Sequence, residues 1–409
     1  MNAPAQAPRL AATGDADRPL KVVHLVDSLG MGGAETWLME LLRHWRATEA
    51  PIETHFVATG GQPAVFDDEA RALGAQVHYL RYGRRDLPSF VAGFRRLLRS
   101  GRYDAVHDHQ DYASGWHYLM GRGVLPPVRV THVHNPAYQI RHNYGVTLGR
   151  RLTARAGKHL AARYATHIAG TSSAALAAFG FDAPAFAATP RGALHCGFDP
   201  GRFLTSDEAR QSVRDEFGWP QDTAAVLFAG RFDVSPDLGH AQNHKNSGFA
   251  VDVAIEAAQR SAKVRCLFAG PFSAATPILR QRIDAAGLAD RIVFAGVRQD
   301  IGRLMAGVDA LLFPSRGEGL GMVAVEAQAA GLPVLASTDV PLECVVIPEL
   351  VRFNSVEDGV VAWAGQLLGM IEADRIDAAV ANGCVAASPF SIAHSAAALE
   401  RLYRDGVLA

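Results

Sequence analysis

Short apolar runs alternate with amphipathic stretches in two successive sets. This predicts an α/β protein built from two parallel-sheet, helix-flanked domains. Three observations carry that expectation. A chain of 409 residues is longer than one core ordinarily organises. The strand-then-helix alternation runs through the first half, stops, and starts again. Between the two sets lies a turn-rich stretch, Gly197-Phe198-Asp199-Pro200-Gly201-Arg202-Phe203. Hydrophobic residues at 49% and charged residues at 20% fit a globular chain. No apolar run approaches the length that spans a bilayer. No repeat of 20–50 residues is visible, which sets solenoids aside.

In chain order, Met1 to Arg18 is rich in Ala and Pro and lacks an apolar core, so it reads as a disordered tail and not a secretory signal. Strands are expected at Val22–Val26, Thr54–Thr59, Gln76–Leu80, Asp104–His109, Arg129–Val133 and His167–Gly170. Ala34–Trp45 and Leu87–Arg99 are helical between them. The second set restarts at Ala225–Gly230 and continues with Val264–Gly270, Ile292–Gly296, Ala310–Phe313 and Val334–Ser337. A last helix, Ile392–Tyr403, follows Ser388-Pro389-Phe390-Ser391. The expected division is a first domain over 19–200 and a second over 201–389.

Charge is unevenly split. Residues 1–200 hold 22 basic and 16 acidic side chains, and the remainder holds 18 and 25. Arg84, Arg85, Arg95, Arg96, Arg99 and Arg102 form one basic cluster; Arg150, Arg151, Arg155, Lys158 and Arg163 form another. Such clusters suit either a solvated helix surface or an anionic membrane face. Nucleic acid is not an expected partner, because no recognition motif or aromatic platform accompanies the charge. Cys196, Cys266, Cys344 and Cys384 are scattered without metal-type spacing, which points to reduced cytosolic thiols.

The densest chemistry lies in Ser315-Arg316-Gly317-Glu318-Gly319-Leu320-Gly321-Met322-Val323-Ala324-Val325-Glu326. A short strand precedes it, and a helix follows that stops at Gly331 before Pro333. One carboxylate lies in the turn and one in the helix. A helix N-terminus exposes unpaired N–H groups that favour phosphate. Gly319 and Gly321 let a ligand approach the backbone. Carboxylates beside such a site make sense as acceptors for sugar hydroxyls. Phosphate donors with two hydroxyl acceptors describe a nucleotide-sugar pocket.

This wording resembles the retaining glycosyltransferases of family 4, whose mark is Glu, seven residues, Glu in this setting. Bacterial exopolysaccharide and capsule enzymes are similar. The resemblance spans about residues 20–405 and is strongest over 310–337. It implies the GT-B fold, two Rossmann-like domains facing an interdomain cleft, with the segment 390–409 packing back on the first domain. It implies that Glu318 contacts the donor sugar as a catalytic residue, that Glu326 takes the ribose hydroxyls, and that Gly319, Leu320 and Gly321 bind the donor. Arg231 and Lys245 match the family's cations on the diphosphate. The spacer from Asp233 to Gln242, marked as a loop by Pro236 and Gly239, is longer than the family's. Gly32 and Gly33, in Gly-Gly-Ala-Glu after the first strand, match a turn that contacts the donor. A dinucleotide fingerprint would need Gly at Glu35, and no P-loop follows.

His109 ends Val-His-Asp-His and matches the family's functional His; alternation puts His107 on the same face. His134 and Asn135 repeat the logic one strand on, as candidate sugar or acceptor contacts. Val297 and Arg298, after Gly296, match the residues whose backbone meets the base. No Asp-x-Asp lies at a strand end, so neither metal nor cofactor is expected; the nucleotide-diphospho-sugar is a co-substrate. The expected function is retaining, metal-independent transfer to a lipid-linked or small-molecule hydroxyl acceptor in exopolysaccharide or capsule synthesis. The expected place is the cytoplasm, with peripheral contact at the inner membrane face. A sugar-nucleotide epimerase, a phosphorylase with pyridoxal phosphate on a Lys, and a non-catalytic nucleotide-sugar-binding partner remain alternatives.

Overall fold

The computed structural model describes residues 18–135, 140, 147–235, 237, 240, 242–372 and 376–408. The expected tail before Arg18, and Pro236 and Gly239 of the spacer, lie outside these residues. The chain divides into two compact units. The first comprises the chain to His134, residues 144–197 and the segment from Ile392. The second comprises 198–391 with the segment 135–143.

The first unit alternates β1 (Leu20–Val26), α1 (Gly33–Ala47), β2 (Ile52–Ala58), α2 (Asp67–Ala72), β3 (Gln76–Tyr79), α3 (Leu87–Gly101), β4 (Ala105–Asp108), α4 (Ala113–Met120), β5 (Val128–Val133), α5 (Leu148–Tyr164), β6 (His167–Gly170), α6 (Ser173–Ala178) and β7 (Arg191–Ala193). All seven strands are parallel, in the order β3-β2-β1-β4-β5-β6-β7. Central strands are covered on both faces, so β1 is apolar at five of its seven positions. Local chemistry sets the helix ends. Pro88 opens α3 in its first turn, and Arg102 closes it in a left-handed conformation. Ser172 caps α6 by accepting from Ala175 N–H.

The second unit runs α7 (Asp207–Glu216), β8 (Ala224–Ala229), α8 (Ser247–Arg260), β9 (Val264–Ala269), α9 (Thr276–Ala285), β10 (Ile292–Gly296), α10 (Ile301–Gly307), β11 (Ala310–Phe313), α11 (Met322–Ala329), β12 (Val334–Ser337), β13 (Val351–Asn354), α12 (Gly359–Ile371) and α13 (Ala378–Ala386). Its sheet, also parallel, is ordered β10-β9-β8-β11-β12-β13. Alternate side chains feed two cores, one on each face. Ala225 and Leu227 of β8 point into one, and Val226 and Phe228 into the other. The final helix, α14 (Ile392–Asp405), belongs to the first unit. There Trp37 Nε1 donates to Ser395 Oγ at 2.9 Å.

Both sheets have a switch point where strand order reverses: β1 beside β4, and β8 beside β11. Open α/β sheets bind ligands outside the carboxyl ends of the strands at that place. The strands expected at His167–Gly170, Ile292–Gly296, Ala310–Phe313 and Val334–Ser337 have those bounds. Sequence reading missed β7 and β13. Both are edge strands, and neither is a run of apolar residues: Arg191-Gly192-Ala193 and Val351-Arg352-Phe353-Asn354.

Candidate active site

In the second unit, β8 and β11 pair in register at Ala310↔Val226 and Leu311↔Leu227. Their exits are therefore neighbours. β8 leads to Gly230-Arg231 and β11 to the turn that carries Glu318. Lys245, in the loop between β8 and α8, reaches Glu318: Nζ stands 2.7 Å from Oε1, with both side chains largely buried. Two bonds clip this loop to the β11 exit. Arg316 N–H donates to the His244 carbonyl at 2.7 Å, and Asn246 Nδ2 donates to the Pro314 carbonyl at 3.1 Å. Asn246 takes a left-handed conformation at φ 57°, which aims the chain into α8. A side chain at Gly230 would come against the Lys245 stem, its Cβ 3.6 Å from Cδ.

The long spacer does not displace Lys245, because its described residues fold back on themselves. Asn243 Oδ1 accepts from Ser235 N–H at 3.0 Å, and Nδ2 donates to the Asp237 carbonyl at 2.7 Å. Asp233 is buried and accepts from Gly248 N–H at 3.0 Å; burial raises its pKa. Arg231 is exposed. Its charge is felt inside the loop: the His244 pKa is lowered by burial first and then by Lys245, Glu318 opposes this, and Arg231 lowers it further.

The turn itself needs its glycines. Gly321 sits at φ 94°, ψ 47° as the residue before α11, and a Cβ there would stand 2.9 Å from Val340 Cγ1. No side chain caps α11, so its first N–H groups stay directed at the turn. Leu320 is buried in the core and pins the turn; Glu326 is half-buried on α11. Gln328 fixes the helix from behind. It donates to the Ala324 and Cys344 carbonyls at 2.9 and 2.8 Å and accepts from Val346 and Ile347 N–H at 2.8 Å each. Gly331 takes φ 68° beyond the helix end.

Val297 and Arg298 follow β10, two strands from the switch point. Val297 is exposed. The Arg298 guanidinium is consumed by Asp300 and Glu216, at 2.7 and 2.6 Å, which raises its pKa. That leaves only its backbone for a ligand.

At the switch point of the first sheet, Gly32 precedes α1 without a side-chain cap. A Cβ on it would fall 2.1 Å from Glu35 Oε2, because the Glu35 carboxylate folds over Gly32. That carboxylate competes with any anion there. Nothing lies within 4 Å of a Cβ built on Gly33. Beside this turn five histidines assemble. His24 of β1 faces His107 of β4, and His109, His132 and His134 complete the group. His109 uses both ring nitrogens inside it: Nε2 lies 3.0 Å from His24 Nδ1, and Nδ1 lies 2.9 Å from His134 Nε2. Burial lowers all five pKa values, to about 3 for His24 and His134 and well below the ordinary value for the other three. All five are neutral at pH 7. Asn135 is half-buried just beyond. Asp108 does not serve His109. Alternation turns it to the other face, where it accepts from buried His117 at 2.7 Å. Sequence reading named His107, His109 and His134 but passed over His24 and the assembly. Its signal was alternate histidines on two strands; what joins them is the β1-β4-β5 adjacency.

Residues 31–186 match the family model described as Glycosyltransferase Family 4, and residues 225–373 match that of Glycosyl transferases group 1. EpsF of Bacillus subtilis (strain 168), named as a glycosyltransferase, is 26% identical over 368 residues, which covers 87% of this chain and 88% of EpsF. A D-inositol 3-phosphate glycosyltransferase of Xylanimonas cellulosilytica is 28% identical over 405 residues, 91% of each chain. Anabaena Alr3699/HepE, solved in complex with UDP and glucose, aligns with TM-score 0.70 at 21% identity, over 93% of this chain and 98% of that one. At that identity the likeness is one of fold.

Proposed function

The chain belongs to the family 4 glycosyltransferases, an α/β protein of the GT-B fold, and we propose that it moves a sugar from a nucleotide-diphospho-sugar to a hydroxyl acceptor with retention of configuration. The observation that carries this reading is the Lys245–Glu318 pair at a sheet switch point, beside the uncapped start of α11. Lys245, Arg231 and the α11 N–H groups supply positive charge for a diphosphate. Glu318 in the turn, and Glu326 on α11, supply acceptors for sugar and ribose hydroxyls. Gly319, Leu320 and Gly321 let the donor approach the backbone, and the backbone at Val297 and Arg298 is proposed for the base. On the first unit, Gly32, Gly33, His109 and His134, with Asn135 beyond, are proposed as substrate contacts.

Fixed cations act most strongly where charge develops, on the departing diphosphate oxygen. Glu318 is held by Lys245 and is not poised as a nucleophile. In the retaining mechanism that the family resemblance implies, the acceptor hydroxyl attacks from the leaving-group side. The bond from the anomeric carbon to the phosphate oxygen breaks with its electron pair going to phosphate. The new bond to the acceptor oxygen forms on the same face, and the acceptor proton passes to the departing phosphate. Lys245 and Arg231 take the place a phosphate-bridging Mg²⁺ would have. Among the described residues, the groups of three that could hold a metal are all histidines, not the oxygen donors Mg²⁺ prefers.

HepE's complex with UDP and glucose makes UDP-sugars the first donors to try. The test is thermal shift and calorimetry with UDP-, GDP-, ADP- and dTDP-sugars, with and without EDTA. Stabilisation by one of them, unchanged by EDTA, is the expected result; no binding by any removes the transferase reading. The proposed setting is exopolysaccharide or capsule synthesis on a lipid-linked or small-molecule acceptor at the inner membrane face. Leu148 and Leu152 are exposed on α5 beside Arg150, Arg151 and Arg155. No helix among the described residues is long and apolar enough to cross a membrane. Sedimentation with anionic vesicles, lost in the double variant Leu148→Asp, Leu152→Asp, tests the surface contact.

A further inference from the structure

We propose that His109, His132 and His134 form a three-histidine site for a zinc-type divalent ion, with a fourth position open to an oxygen ligand. Nothing in the donor-binding chemistry above requires such an ion. Each of the three offers one ring nitrogen, and the three nitrogens lie within 4.8 Å of one another. His109 Nδ1 and His134 Nε2 are already 2.9 Å apart. Nitrogens around a tetrahedral zinc ion stand roughly 3.4 Å apart at Zn–N distances of about 2.0–2.1 Å. Small ring movements bring the three to that spacing.

The surroundings are those of a ligand set. A metal-binding histidine is oriented by a partner on its other ring nitrogen. Each of the three has one. His109 Nε2 meets His24 Nδ1 at 3.0 Å. His132 Nδ1 meets His107 Nε2 at 3.1 Å, and His107 Nδ1 is held in turn by the Tyr403 hydroxyl at 2.6 Å. His134 Nδ1 faces Cys196 Sγ at 3.9 Å. The remaining nitrogen of His132, Nε2, is buried, and the Leu194 backbone is a polar neighbour of this ring.

Donor chemistry selects the ion. Three neutral imidazoles without a carboxylate suit Zn²⁺, Ni²⁺ or Cu²⁺ and not Mg²⁺ or Ca²⁺. His109 and His134 are half-buried, which gives access and leaves the fourth position for water or a hydroxyl. With the ion in place, these two would meet a substrate oxygen through it.

The test uses tag-free, full-length protein without sugar nucleotide, so its failure leaves the donor-site reading intact. The protein is loaded with Zn²⁺, dialysed against metal-free buffer and assayed for zinc per chain. A parallel sample is loaded with Co²⁺ and its visible spectrum recorded. The expected result is one ion per chain, a strong four-coordinate Co²⁺ spectrum, and at least a tenfold loss of retained metal in His132→Gln and His134→Gln. His159→Gln, an exposed histidine outside the cluster, should retain the full complement. Zinc near zero in the unsubstituted protein, or retention unchanged in both cluster variants, overturns the proposal. If His132→Gln fails to fold, the Co²⁺ spectrum of the unsubstituted protein decides: a weak six-coordinate spectrum overturns the site.

Discussion

Glu318 and Lys245 are separated by 73 positions and meet at 2.7 Å. Glu318→Gln keeps the shape and a hydrogen-bond acceptor but removes the charge that holds Lys245. Loss of a preorganised polar group at such a site costs about 10²–10³ in kcat. The fold should lose only about 1 kcal/mol, because an acceptor remains for the ammonium. Steady-state turnover together with a denaturation curve separates the two effects, and unchanged turnover in the folded variant would remove Glu318 from the reaction. Glu318 was legible because its setting is local: a strand, a glycine turn and a helix written within 20 residues. Lys245 was legible as a residue but not in its position, since that depends on Asn243 and Asn246 closing a loop onto a distant strand. The histidine assembly was legible in pairs at most. Alternation tells which residues share a face of one strand, but nothing in it tells that β1, β4 and β5 are neighbours.

Element packing shows the same division between local and distant information. The sequence places α1 and α3 to within two residues at each end, but the α4–α5 crossing depends on glycines that carry no periodic signal. A Cβ on Gly115 would stand 2.0 Å from the Gly157 carbonyl oxygen, and one on Gly157 would stand 2.3 Å from the Tyr112 carbonyl oxygen. Both obstacles are backbone and cannot swing away. Gly115→Ala should therefore destabilise the first unit by about 1–3 kcal/mol or more, despite the better helix propensity of alanine. A chemical-denaturation midpoint equal to that of the parent would show that the helices can part freely. In the second unit, charges tie α7 to α10: Glu216 meets Arg298 and Arg303, and Asp300 meets the same two. Arg298 first, then Arg303, holds the Asp300 carboxyl well below the usual range. A depressed carboxyl contributes stability that is present above its unfolded pKa, near 4, and is lost as pH falls through the folded value. Asp300→Asn should then cost about 1 kcal/mol at pH 7, an amount kept small by partial exposure. The difference from the parent should shrink below pH 4. A gap that stays constant from pH 7 to pH 2.5 would contradict this assignment.

At the scale of the whole molecule, the chain does not finish where its second sheet does. α14 returns to the first unit and completes it from the far end of the sequence. It buries Ile392, Leu399, Leu402 and Tyr403 there, and adds the Trp37–Ser395 and His107–Tyr403 bonds. Beyond it, His167 Nε2 meets the Gly406 carbonyl at 2.9 Å. Burying one large apolar side chain contributes about 1.5–3 kcal/mol. Four of them give on the order of 6–12 kcal/mol, as much as a typical domain's entire stability of about 5–15 kcal/mol. The second unit loses nothing comparable, because its two cores are built from residues between Phe198 and Phe390. Truncation before Ile392 should therefore unfold the first unit and spare the second. In hydrogen exchange, amides of β1, β4 and β5 should lose protection while those of β8 and β11 keep it. Equal protection of β4 in the truncated and full chains would mean that the first sheet is stable without its last helix. The amphipathic spacing of Ile392–Tyr403 makes the helix readable from sequence alone. Which of two similar parallel-sheet units receives it is not written in that spacing, because either could bury the same apolar stripe. Trp37 and His107, more than 290 positions away, supply the polar partners that distinguish them.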